Sequence, residues 1–244
     1  DKTSEKALQK TFNLYHYTAN QDTARLMVSK STAGIPNKWQ PSGDGKIFYS
    51  ANGSTLYFGI APIPKVRDTS LVDFEHAQVD VWHWKDDFLQ TQQLVNLKRD
   101  KAKSYLAKVN PKEPIRVLAL ADQQVNRIVT TDDANNEWVL ISSDFGNRIA
   151  NQWTATTLSD IAVVSTSTGA KKTVTQQLDG QSYLSPTGAY VLYFNREKGQ
   201  WFSYDIVKGT SICLNENLPV NFADEENDSP NLPSSYGIAG WSAD

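Results

Sequence analysis

Three groups of residues have types and spacing that could do chemistry. The first is Gly180-Gln181-Ser182-Tyr183-Leu184. An α/β-type serine hydrolase carries its nucleophile on a sharp strand-to-helix turn, written Gly-x-Ser-x-Gly. This stretch lacks the second glycine and runs into apolar residues of strand type, so it reads as a turn entering a strand. The second is the histidines His16, His76 and His83. No His-x-His pair and no His-Glu-x-x-His spacing is present, so no metal ligand is assigned. His16 and His83 lie among strand-type aromatics and read as packed or hydrogen-bonded strand residues. The third is the acidic run Asp224-Glu225-Glu226-Asn227-Asp228. It could meet a cation or the amino end of a peptide. It lacks the glycine and the ligand spacing of an EF-hand loop, and it reads as a solvated loop. The sequence therefore assigns no catalytic, cofactor-binding or metal residue, expects no cofactor, and leaves any substrate-binding residue undefined.

Other candidates have structural readings. Cys213 is the only cysteine, which excludes an internal disulfide and a cysteine-based zinc site. In Ser211-Ile212-Cys213-Leu214 it reads as a small buried hydrophobe. Lys171-Lys172 reads as a solvated turn tip. Trp82-His83-Trp84 could be an aromatic binding surface and reads as a strand face packed on its neighbour.

The elements that hold these residues are strands. Seven Trp and ten Tyr favour β-structure. Helical pattern is confined to Lys98 to Lys108. Tyr49 to Phe58 is a hairpin around Asn52-Gly53, and Leu184 to Phe194 repeats it with one more residue. Ile128 to Ile141 is a looser copy around Asp132 to Asn136. A second hairpin type follows: Trp201 to Leu214 turns at Lys208-Gly209, and Ile161 to Val174 turns at Thr168-Gly169. The two turn glycines are 40 residues apart. Val79 to Trp84 leading to Gln93-Leu94, and Asn13 to Tyr17 leading to Arg25 to Val28, read as further copies.

Two hairpins repeated at this period make the four-stranded unit of a β-propeller blade. The expected fold class is all-β: a propeller fragment with four-stranded antiparallel blades, incomplete at both ends. A two-sheet sandwich is the competing architecture. The expected organisation is one partial propeller over 1–244, with a half blade at 11–29. Blades are expected at 47–97, 114–178 and 182–214, and the start of another at 236–244. Tyr57, Phe58, Trp82, Trp138, Leu192 and Phe194 are expected in the core. The linkers Ala61 to Ala77 and Leu218 to Ser235 are expected to project from a rim.

The formal charge of −3 and the absence of a basic stripe exclude a typical nucleic-acid partner. No apolar run is long enough to span a membrane as a helix.

Three stretches resemble the propeller of bacterial prolyl oligopeptidase family proteins, of the dipeptidyl or acylaminoacyl peptidase type. They are Tyr57 to Pro62 with Asp68-Thr69, Val79 to Trp84, and Leu184 to Gly188 with Tyr236 to Trp241. The chain is also similar to the TolB-like propeller repeat. The first resemblance implies a non-catalytic propeller that gates or docks short peptides for an α/β-hydrolase domain absent from this chain, in a secreted or periplasmic serine peptidase. The second implies a binding propeller with no enzyme partner. The family's Ser-Asp-His triad lies in the hydrolase domain, so no catalytic residue transfers. Glu225-Glu226 matches the letters of an amine-gripping pair, but its Pro-rich acidic setting leaves that role unassigned. Self-association through open blade edges near Tyr15 or Ile238 is expected.

Overall fold

The computed structural model describes residues 9–66, 69–76, 79–112, 114–154 and 156–242. Asp68, Ala77 and Ala243-Asp244, which entered the readings above, lie outside the described residues. The chain divides into two compact units, 1–120 and 121–244.

In the first unit, β1 (Leu14–His16) and β2 (Arg25–Val28) form a two-stranded ribbon. A second sheet follows, from β3 (Trp39–Pro41), β4 (Phe48–Tyr49), β5 (Leu56–Pro62), β6 (Tyr105–Val109) and β7 (Val117–Ala119). Its order is β3-β5-β6-β7, with β4 also paired to β5. Thus β3 and β4 share one edge of β5, and β6 takes the other.

Three expectations change here. The helix expected at Lys98 to Lys108 is α1 (Gln90–Lys101), and Tyr105–Val109 is a strand. Tyr105, Ala107 and Val109 alternate into the core, which is strand periodicity, and β5 offers them a free edge. Val79 to Trp84 forms no strand, because both edges of β5 are already taken. Trp82 is accordingly 63% exposed instead of core. Finally, the sheet runs from Trp39 to Ala119 and is not contained in 47–97. Residues 117–119 close this sheet instead of opening a blade at 114, because β7 pairs with β6.

The second unit holds two four-stranded antiparallel meanders. The first has β8 (Arg127–Val129), β9 (Trp138–Ser143), β10 (Ser159–Ser165) and β11 (Lys171–Leu178), with a short helix α2 (Arg148–Thr154) between β9 and β10. The second has β12 (Gly180–Leu184), β13 (Tyr190–Asn195), β14 (Gln200–Asp205) and β15 (Thr210–Cys213). Each is ordered as in the sequence, every strand paired with the next.

These two sheets repeat each other in detail. Thr131 and Ser185 each open a turn in which the residue three further on returns its N–H to their carbonyl. Those residues, Ala134 and Gly188, have φ of 52° and 67°. Gly53 does the same in the first unit, returning its N–H to Ser50 with φ 68°. The second turn is also shared. Gly169 and Gly209 donate to the carbonyls of Ser165 and Asp205, whose side chains accept the N–H groups of the next turn residues. Thr166 and Ile206, the second residue of each turn, are buried and donate N–H to Glu137 and Ala189.

The meanders stack through one core. Leu140, Ile161 and Val163 from the first meet Leu184, Val191, Tyr193 and Tyr204 from the second, with Ile206 beneath. Hydrogen bonds cross between the sheets from Arg127 Nη1 to Ser182 O (3.2 Å), from Asn136 Nδ2 to Pro186 O (2.9 Å) and from Lys172 Nζ to Ile206 O (3.1 Å). In sandwiches the chain switches sheets between strands. Here each sheet is completed before the next begins, and the same two turns recur. The fold is therefore all-β, built of four-stranded antiparallel blades of the propeller kind.

Candidate functional site: the loops inserted between second and third strands

Successive connections of an antiparallel meander alternate between its two ends. In the second unit the first-hairpin turns lie at one end, tied together by Asn136 and Pro186. That end is closed by the hydrogen-bonded turns just described. Its carboxylates serve the turns. The N–H of Asn135 and the Thr131 hydroxyl hold the Asp133 carboxyl below its usual range. The Lys208 and Val207 N–H groups, with the Lys208 ammonium, do the same for Asp205.

The connections between second and third strands lie at the other end, and they vary in length. Between β13 and β14 the chain turns within Arg196 to Gly199. Between β9 and β10 it makes an excursion over 144–158 that contains α2. Arg148 is held there by Asp144 at 2.8 Å and lies over the Phe145 ring. Asn147 Nδ2 ties the excursion to Leu158 O. Phe145 is left open, and Trp153 is 84% exposed.

In the first unit the same connection, between β5 and β6, is the long insertion 63–104. It carries a 3-10 turn (Asp73–Glu75) and α1. Gln90, buried at the start of α1, donates to Asp80 Oδ1 at 2.7 Å. Asp86 N–H returns to His83 O, and Lys85 N–H donates to His83 Nδ1. Lys85 Nζ sits 4.8 Å from the Trp84 ring centroid, which also stacks on His83. Residues 80–90 are thus tied by local bonds, yet the large apolar groups of the insertion face solvent. Trp84 is 80% exposed, and Phe74, Val81 and Phe88 are open as well. Exposed aromatics held on an ordered loop are the usual material of a contact surface.

The other residues singled out from sequence fall as follows. Ser182 is a buried residue inside β12, its carbonyl bonded to Arg127, so it occupies no strand-to-helix elbow. His16 is half-buried on β1, with its ring edge to Tyr49. His76 is half-buried at the end of the 3-10 turn, and His83 is exposed in the aromatic segment instead of in a strand. Cys213 is half-buried on β15, less enclosed than expected. Lys172 is no solvated tip: it lies on β11, bonds Ile206 O and covers the Trp138 ring at 4.7 Å. The acidic run is a folded loop pinned by the Ala223–Ser235 bridge. Glu225 accepts from Asn221 Nδ2, and its N–H donates to Tyr236 Oη. Among the described residues, no cluster of three His, Cys, Asp or Glu side chains could hold a metal ion. Among them also, no helix is long and apolar enough to cross a membrane. Trp153 and α2 were not singled out from sequence. The only signal for them was the extra length between the β9 and β10 patterns, compared with β13 and β14.

No family model and no curated protein sequence matches the chain. Several solved structures do. TolB from Acinetobacter baumannii aligns over 78% of this chain and 34% of its own, at 12% identity and a TM-score of 0.33. A putative 6-phosphogluconolactonase from Bacteroides fragilis aligns over 72% and 38%, at 13% identity and a TM-score of 0.29. Kuenenia stuttgartiensis hydrazine synthase aligns over 66% and 40%, at 10% identity and a TM-score of 0.28. The chain spans about a third to two fifths of the length of these three. The fold therefore rests on the sheets described above.

Proposed function

We propose that this chain is a non-catalytic binding module of the β-propeller type, which docks polypeptide segments on its inserted loops. One observation carries the reading. In each unit one connection between second and third strands is expanded, β5–β6 in the first and β9–β10 in the second, and each holds Trp and Phe side chains out to solvent. Removing a cluster of open aromatics from water is the main gain available to such a surface. The buried strand position of Ser182 agrees with a module that does no hydrolysis itself.

The finer reading makes the partner the α/β-hydrolase domain of a prolyl oligopeptidase-like serine peptidase, and the ligands short peptides on their way to it. It is supported by the family-like stretches Tyr57 to Pro62 and Leu184 to Gly188, both of which are blade strands and turns. It carries with it the extracytoplasmic location of that family. The stretch Val79 to Trp84 supports it differently from first expectation, as part of a loop instead of a blade face.

The test is a fluorescence titration of the chain with a panel of short apolar peptides, each recovered afterwards for mass analysis. The expected result is saturable quenching by some peptides, with every peptide intact. The triple variant Trp82→Ala, Trp84→Ala, Trp153→Ala removes that binding while Ser182→Ala does not. Cleavage that is abolished by Ser182→Ala, or binding untouched by the triple variant, overturns the proposal.

A further inference from the structure

The two expanded connections differ in charge. Residues 69–90 of the β5–β6 insertion carry five carboxylates (Asp73, Glu75, Asp80, Asp86 and Asp87) against one ammonium, that of Lys85. With histidine neutral this is −4 within 22 residues, more than the −3 of the whole chain. The excursion 144–158 holds only Asp144 and Arg148, which pair with each other. The insertion's basic residues lie to either side of 69–90: Lys65 and Arg67 before it, and Lys98, Arg99, Lys101 and Lys103 after it. Lys98, Arg99 and Lys101 occupy the last turn of α1. At 1.5 Å per residue they stand about 12–17 Å along the helix from Gln90, where it meets Asp80. That is beyond the roughly 8 Å over which physiological salt screens a charge.

We infer that the β5–β6 insertion selects cationic peptide segments, seating a lysine or arginine side chain on the rings of Trp82 and Trp84 beside Asp80 and Asp86. This rests on the reading of the expanded loops as polypeptide-docking surfaces, and it names what one of them takes. The chain itself displays the chemistry. Lys85 Nζ lies 4.8 Å from the Trp84 centroid, and both side chains are exposed. An indole face attracts an ammonium or guanidinium through the quadrupole of the ring, and an incoming cation can replace that of Lys85. Asp80 and Asp86 each stand two residues from a tryptophan, so their Cα atoms lie within roughly 7 Å of its Cα. Gln90 Nε2 holds the Asp80 carboxylate, and the turn from His83 to Asp86 sets the backbone of the other. Carboxylates beside the rings add an attraction that a neutral peptide lacks and that an acidic peptide meets as repulsion. A nucleic acid or an acidic lipid surface meets the same repulsion.

The test is a fluorescence titration of the full chain with three blocked peptides of one length and one apolar pattern, carrying lysine, glutamine or glutamate at the same two positions. At about 0.01 M salt the lysine peptide is expected to bind about five- to thirtyfold more tightly than the glutamine peptide, and the glutamate peptide most weakly. Raising the salt to about 1 M shortens the screening length from roughly 30 Å to roughly 3 Å and is expected to erase most of that ratio. The double variant Asp80→Asn, Asp86→Asn should bring the ratio within about threefold and leave the affinity for the glutamine peptide in place. Lys85→Ala removes the competing cation and should tighten the lysine peptide about two- to fivefold, which the loss of a merely structural side chain would not do. Equal binding of the three peptides, or a preference for glutamate, overturns this inference and leaves the loops as docking surfaces without charge selection. A lysine preference indifferent to the double variant, or one that fails to strengthen in Lys85→Ala, also overturns it, by placing the contact elsewhere. If no peptide binds, the apolar panel included, the docking reading itself falls and this inference with it.

Discussion

Ile206 offers a direct test of the blade as a stacking unit. It sits in a tight turn, where side chains are ordinarily exposed, yet it is fully buried, while its neighbour Val207 is open to solvent. Its backbone is engaged twice, donating to Ala189 O and accepting from Lys172 Nζ. Ile206→Ala keeps both of these main-chain bonds and removes three carbons from the core between the sheets. The lost transfer free energy is about 2.4 kcal/mol, at roughly 0.8 per methylene. A cavity that fails to collapse adds up to about 2 kcal/mol. The expected destabilisation is therefore about 2.5–4 kcal/mol. Urea unfolding followed by tryptophan emission should show it as a midpoint lowered by roughly 1–2 M, with the slope unchanged. Val207→Ala, one residue away, should stay within about 0.5 kcal/mol of wild type. If the two variants lose equal stability, or Ile206→Ala loses less than about 1 kcal/mol, the turn does not plug the core and the stacking argument is wrong.

Asp133 and Asp205 have lowered pKa values, so their contribution is present above pH about 4 and lost as pH falls through their folded-state values. Urea midpoints measured from pH 6 down to pH 2 should fall less steeply for Asp133→Asn and Asp205→Asn than for wild type. Gly59→Ala should cost about 1–3 kcal/mol in thermal melts. An added Cβ would stand 2.7 Å from Gly45 Cα and 3.0 Å from Ser104 Cβ, and backbone at that distance cannot yield cheaply. Asn136→Ala removes bonds to Pro186 O and Thr131 Oγ1, and should cost about 1 kcal/mol by chemical denaturation.

The hairpins were legible because turn chemistry and strand alternation agree. Asn52-Gly53, Thr187-Gly188 and Lys208-Gly209 put glycine where φ is positive, and apolar strands flank each. The copy around Asp132 to Asn136 read as looser because Ala134 takes the position that glycine fills elsewhere, at φ 52°. Of the six residues expected in the core, Tyr57, Phe58 and Phe194 are buried, Trp138 and Leu192 are half-buried, and Trp82 is exposed. Trp82 misled because alternation reports strand-like spacing but not whether a neighbouring strand has an edge free. That depends on Tyr105–Val109, more than twenty residues away, reaching β5 first. The candidate site was legible only in part. The sequence shows Trp82-His83-Trp84 as an aromatic cluster but not its loop setting, and Trp153 carries no local signal beyond its own identity.

The insertion 63–104 has a consequence for how this architecture can vary. The residues it separates, Ile60 and Tyr105, pair in the same ladder whatever lies between them. Closing a loop of that length in place of a four-residue turn costs only about 2 kcal/mol of chain entropy, since the cost grows with the logarithm of length. That is within reach of one well-packed side chain. The blade therefore sets almost no upper limit on what its second connection may carry. New loops can be acquired, exchanged or lost at that end while the ladder beneath keeps its register. In heredity as in protein engineering, the connection behaves as a socket.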